Sequence, residues 1–313
     1  MLRSWALALG ILILSVGSAA AQQPPNRLAT MSPRALVREW QTAPRPEREQ
    51  IADAIAERGE PSLAVLRDVA ATGGRDEKVF ACSMIAELRD ADGVPAVLTA
   101  TTDPDVEVRR RAATALRILG DVRARPRMRA LLRSAEDLGV LKTALATLGR
   151  IGSGTDRGRV RPFLAHADAE VRVVAAIALA MLGDARGRDV LLAAIDGGNP
   201  GAQKQATFGL GYIDDAAARA RLQAILDDPA GRWKSYAAIA ITIGDMRSLS
   251  AAEKVAMLAP IARGRSRVAS RWALEELTDL GTPEARAVIG TLADGTRPVA
   301  ASARRRLAIA GDR

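Results

Sequence analysis

The sequence predicts an all-α chain of stacked helical hairpins, a solenoid, and three observations carry that prediction. Of its 313 residues 48% are hydrophobic but only 3% aromatic. The apolar content is therefore chiefly Ala, Leu, Val and Ile, which favours helices over a β-sandwich or barrel. One phrase recurs along the chain, an Ala-rich helical pattern ending in an apolar residue followed by Gly and often Asp. It reads RAATALRILGD, KTALATLGR, VAAIALAMLGD, QATFGLGYIDD, YAAIAITIGD, ALEELTDLGT and RRLAIAGD, with weaker copies in IADAIAERGE and ACSMIAELRD. The residues before the turn are Arg58, Leu88, Leu119, Leu148, Leu182, Ile213, Ile243, Leu280 and Ala310, at intervals of 30, 31, 29, 34, 31, 30, 37 and 30. Such a period holds two helices of about 10–13 residues and two short turns, giving about nine hairpins.

Taken in order, the first segment, MLRSWALALGILILSVGSAAAQQ, has one positive charge at Arg3, an apolar run from Trp5 to Val16, and small residues before an A-x-A site at Ala19 and Ala21. This is the layout of a secretory signal peptide over residues 1–21, so the mature chain is expected to be exported, periplasmic or extracellular. A retained membrane anchor is the alternative, but the run is shorter than the ~20 residues that span a bilayer. Residues 22–32 are polar and Pro-containing and read as a mobile leader. Ser32 and Pro33 then supply an N-cap and first-turn Pro for a helix through about Trp40, which is expected to cover the open end of the array. Residues 33–313 form one continuous array rather than separable domains.

Within a unit such as DPDVEVRRRAATALRILGDVRARPRMRALL, Asp103 or Asp105 caps the second helix and Pro104 suits its entry. Val108, Ala112, Ala115, Leu116 and Leu119 fall on one stripe, Gly120 closes the helix, and Asp121 opens the next turn. Met128, Leu131 and Leu132 complete the apolar contact in the helix that follows. The long intervals place their extra residues near GRIGSGTDRGRV and GDMRSLSAAEKV, expected as enlarged turns. The last helix, in ASARRRLAIAGDR, reads as a polar terminal cap.

Counting removes much chemistry. One Cys, Cys82, excludes an internal disulfide and a Cys-based zinc site, and one His, His166, excludes a His-pair metal motif. Cys82 sits in an apolar run and reads as a buried small hydrophobe, with an intermolecular disulfide as the alternative. The acidic groupings Asp103, Asp105 and Glu107, and Asp214 with Asp215, lack the spacing of a calcium loop and read as helix caps. GRIGSG lacks the preceding strand and the Lys-Ser/Thr ending of a phosphate loop. No cofactor and no catalytic residue is assigned. The formal charge of +9 becomes +8 without residues 1–21, and 40 of the 45 bases are Arg. In an exported chain the partner this implies is an acidic envelope polymer rather than nucleic acid, or none at all, since genome composition alone can produce the Arg bias.

The closest copies, DPDVEVRRRAATALRILGD and HADAEVRVVAAIALAMLGD, resemble the HEAT-like repeats of the phycobilisome-lyase type. They share an acid, Val-Arg, double Ala, Leu and Gly-Asp. The resemblance covers roughly residues 33 to 313 and implies a right-handed α-solenoid. Arg109 and Arg172 match the family's Arg, with Lys78 aligned in an earlier unit and Gln203 and Trp233 in later ones. By this resemblance the second helices line a concave face, on which Ile177, Met181, Phe208, Tyr212 and Ile241 form an apolar stripe. Gly209 and Gly211 would leave room beside Phe208 and Tyr212 for an incoming chain. Arg109, Arg110, Arg111 and Arg117 form a companion basic cluster. Packing between units is the competing account of the stripe. The expected function is a non-enzymatic scaffold or adaptor binding a protein or peptide partner. A lyase-like or chaperone-like factor acting on a cofactor-bearing protein is the alternative, and a binder of acidic envelope polymers a third.

Overall fold

The computed structural model describes residues 27–295 and 298–310. The expected signal peptide, residues 1–21, lies outside the described residues. Among them there is no strand, and nine hairpins follow one another. They pair Pro33–Thr42 with Arg45–Glu57, Glu60–Thr72 with Arg75–Glu87, Val94–Ala100 with Val106–Leu119, and Arg125–Ser134 with Leu138–Ile151. The fifth pairs the short helices Arg157–Val160 and Arg161–Ala165 with Ala169–Met181, and the next two join Arg188–Asp196 to Pro200–Gly209 and Ala216–Asp227 to Lys234–Asp245. Ala251–Ala262 with Arg267–Leu280, and Pro283–Ala293 with Pro298–Ala310, complete the array.

Local chemistry explains the boundaries. Ser32 accepts a hydrogen bond from the Ala35 amide with Pro33 at the first position, while Asp105, Asp137, Asp168, Asn199, Asp215 and Ser266 cap six of the later second-layer or first-layer helices in the same way. Asp105 is thus the cap, and Asp103 instead accepts from the Asp105 amide and from Lys78. Gly120 ends its helix at φ 67°, a left-handed conformation that costs glycine little. Arg89 adopts φ 55° at the turn where the better-formed units place Gly. An L-residue there bears a cost of about 1–2 kcal/mol, so its surroundings must hold it.

Each hairpin is amphipathic and too small to bury its own stripe, so burial comes from stacking. In the third unit Val108, Ala112, Ala115 and Leu116 are buried as the periodicity predicts, with Met128 and Leu131 of the fourth buried beside them and Leu119 and Leu132 half-buried against them. Small side chains bring the second helices close together. A Cβ on Gly211 would lie 2.6 Å from the Ala240 Cα, nearer than such atoms ever approach. The inner layer is therefore narrower than the outer one, and the array curves tightly.

The curvature brings the ends together. The last helix, Pro298–Ala310, packs on its own hairpin and also on Arg45–Glu57 and Arg75–Glu87. Val299 and Ala303 join the core of the eighth and ninth hairpins, whereas Ala308 packs on that of the first four. Arg305 Nε donates to Asp53 Oδ1 at 2.7 Å, its NH2 group pairs with Glu49, and Ser302 donates to Glu87 at 2.7 Å. The polar terminal cap expected here is thus corrected. Arg304 is exposed, but Arg305 and Arg306 are only 7% and 8% exposed, because Arg305 faces the first hairpin and Arg306 the eighth rather than solvent. The leader expected through residue 32 also differs. Arg27–Thr30 forms a helical turn, Leu28 is buried, and Arg58 donates to the carbonyls of Leu28, Ala29 and Met31. Trp40 stacks on Phe80 with ring centroids 4.4 Å apart, under the guanidinium of Arg48.

Candidate functional site

The inner ends of the second helices converge on an ionic hub. Arg89, held in its left-handed turn, donates to the Ile118 carbonyl and to Glu275 Oε2 at 2.8 Å, and lies 3.1 Å from Asp279 Oδ1. Arg306 donates to Thr278 Oγ1 at 2.7 Å and to Glu275 Oε1 at 3.2 Å. Arg150, from the fourth hairpin, pairs with Asp279 of the eighth, directly across the array. Desolvation raises the Glu275 carboxyl, but Arg306 and Arg89 outweigh it and hold its pKa below the ordinary value. The neighbouring Glu276 is pushed the other way, by burial and by Asp279. Burial, followed by the repulsion of Arg150, lowers the pKa of Arg117, and burial lowers that of Arg89 against the pull of Asp279 and Glu275. The expected concave trough is accordingly not open at these ends, because tight curvature fills it with cross-array contacts.

The apolar stripe divides. Ile177, Tyr212 and Ile241 are half-buried and pack on the core shared by the fifth to seventh hairpins. Ile177 occupies the space beside Gly209, and Ala240 occupies the space beside Gly211, which corrects the expectation that these glycines leave room for an incoming chain. Met181 lies with its Sδ toward Gly149 of the preceding unit. Phe208 is half-buried, belongs to none of the apolar cores among the described residues, and meets Tyr212 edge-on at 5.6 Å. Burial raises the Tyr212 phenol well above its ordinary pKa.

The expected basic cluster does not form one surface, since Arg109, Arg110 and Arg111 on successive positions point in different directions and Arg117 lies more than a turn further along the helix. Arg109 donates to the carbonyls of Asp103 and Pro104, both at 2.7 Å. Arg110 makes two bonds to Asp137, 2.9 and 2.6 Å, and holds that carboxyl down at about 2. Arg111 reaches Glu107 at 3.5 Å, and Arg117 enters the hub. The family's Arg position is a staple for the turn within the hairpin. Arg172 donates to the carbonyls of His166 and Ala167 just as Arg109 does, and Gln203 does the same for Ile195 and Gly197.

His166 has a local role, its Nδ1 accepting from the Asp168 amide at 3.0 Å. Asp215 caps a helix and pairs with Arg188, and Asp214 pairs with Arg247. Among the described residues no group of three or more His, Cys, Asp or Glu is placed to hold a metal ion, and no helix is long and apolar enough to cross a membrane. Cys82 is buried, and desolvation pushes its thiol up to about 12 against the pull of Arg111 and Lys78. Native protein at pH 8 is therefore expected to resist a thiol-reactive dye and to label stoichiometrically once denatured. Rapid native labelling would show the helix face to be open.

Sequence reasoning missed the hub residues Arg89, Arg150, Glu275, Glu276, Asp279 and Arg306. The one local signal was Arg89 itself, a bulky cation in the slot that other repeats give to Gly.

The HEAT repeats family model matches residues 75–149 and 157–242, together more than half of the chain. The chain belongs to the HEAT repeat family. Phycocyanobilin lyase subunit alpha of Picosynechococcus sp. (strain PCC 7002) is 28% identical over 166 residues. That match covers 48% of this chain and 62% of the relative, so it spans less than two thirds of that protein. Among solved structures, the complex of CpcE and CpcF of phycocyanin lyase from Nostoc sp. PCC7120 matches with a TM-score of 0.54 at 20% identity. It covers 73% of this chain and 93% of that one. This HEAT-repeat chain thus shares its fold with a lyase component.

Proposed function

We propose that this HEAT-repeat protein is an exported scaffold, periplasmic or extracellular, that binds a protein or peptide partner and performs no covalent chemistry itself. The observation that carries the reading is Phe208, a large aromatic left half-buried outside the apolar cores on an otherwise closed inner face. Tyr212 of the same unit meets it edge-on. A preformed surface loses little ordering entropy on association. The structural neighbour, a complex of CpcE and CpcF, supports a fold that presents itself to other proteins. Phe208→Ala is expected to weaken capture of the partner from the envelope fraction at least tenfold while shifting the melting temperature by less than 2 °C. A fall in stability with capture unchanged would assign Phe208 to packing. Mass spectrometry of secreted protein is expected to find an N-terminus at Gln22.

A second reading, a lyase-like or chaperone-like role toward a cofactor-bearing protein, is favoured by the 28% identity to a phycocyanobilin lyase subunit. A visible absorbance band that copurifies with the chain would decide for it.

A further inference from the structure

The closure between the last and first hairpins leaves an open-mouthed cavity of about 550 Å³, within the range of small-molecule sites. Five guanidinium groups line it, those of Arg265, Arg267, Arg271, Arg305 and Arg306, against the carboxylates of Glu49, Glu87 and Glu275. Those carboxylates are already engaged. Glu49 pairs with Arg305, Glu87 accepts from Ser302, and Glu275 is shared between Arg306 and Arg89. Arg265, Arg267 and Arg271 are exposed and, among the described residues, have neither an ion pair nor a hydrogen bond. The Nε–H of Arg306, buried in the same wall, has no acceptor among the described residues. Buried donors are almost always satisfied, and cations gathered on a cavity wall repel one another unless an anion joins them.

We infer that this cavity binds a small organic or inorganic polyanion, carrying phosphate or carboxylate groups, with Arg265, Arg267 and Arg271 as its ligands. The planar forks of arginine suit both kinds of oxygen pair. The ligand would touch the eighth hairpin through Arg267 and Arg271 and the last helix beside Ser302 and Arg305. It would therefore stabilise the closed array by binding the native state alone. This inference is independent of the partner-binding reading.

The test is isothermal titration calorimetry of the full chain at low ionic strength with sodium pyrophosphate and, separately, citrate, alongside thermal melts in each. One saturable equivalent of either anion is expected, with a raised melting temperature, and the anion preferred tells phosphate from carboxylate chemistry. Arg271→Gln and Arg265→Gln are each expected to weaken it at least tenfold. Arg232→Gln, which removes an exposed charge elsewhere, should leave it within twofold. Arg265 lies in a turn without partners among the described residues, so its variant is not exposed to misfolding. Absence of saturable binding to both anions, equal weakening by Arg232→Gln, or saturation only by a Glu-rich peptide would overturn the inference.

Discussion

Glu275→Ala is expected to destabilise the fold by about 3–5 kcal/mol near neutral pH, the cost of leaving buried cations without their counter-charge. Its two partners, Arg89 and Arg306, have side chains only 15% and 7% exposed, and neither can turn to water without leaving the hub. The folded Glu275 has a depressed pKa, so its contribution is fully present above the unfolded value of about 4.3 and is lost as pH falls through the folded one. The stability difference between wild type and variant should therefore be flat at neutral pH and shrink in acid. Glu276→Gln should do the opposite. Its carboxyl is raised by burial and Asp279, so its ionised form opposes folding, and the amide should gain a smaller amount of stability at pH 7. That gain should vanish once acid protonates the wild-type side chain. Chemical denaturation from pH 3 to 8 measures both, and matching signs for the two variants would contradict the hub geometry.

A chain ending at Gly295 is expected to open the array. It loses the buried Val299, Ala300 and Ala303, the cross-array bonds of Arg305 and the bonds of Arg306 to the eighth hairpin, together worth roughly 3–5 kcal/mol. Helicity per residue should change little, because the hairpins other than the first two, the eighth and the truncated ninth keep all their neighbours. Small-angle X-ray scattering should show a larger radius of gyration than the full chain gives. An unchanged radius would mean that the last helix follows the closure rather than making it.

The hairpins, their order and the core stripe of the third unit were legible because helical periodicity and capping are local properties. Val108, Ala112 and Leu116 repeat every three to four residues, and Asp105 and Gly120 punctuate them whatever the rest of the chain does. Nothing local announces that Arg150 meets Asp279, 129 positions away, or that Arg305 meets Asp53, 252 away. Those contacts depend on the summed curvature of many units, in which small changes in helix spacing at Gly211 or Gly209 accumulate. The same cause explains why the stripe was readable as a pattern but not as a surface. Its half-buried members Ile177 and Ile241 differ from Phe208 only in how near the next helix comes.

An open repeat protein gains or loses a unit by duplication or deletion at little cost, since only two neighbours notice. This chain lacks that freedom, because Arg305 reaches Asp53 only when the ring holds its present number of members. Inserting one more hairpin between the second and eighth units would carry the final helix past its seat and separate Arg89, in its disfavoured backbone conformation, from Glu275 and Asp279. The family's usual route of evolutionary change, by copy number, is closed to this chain, which leaves substitution within a fixed circumference.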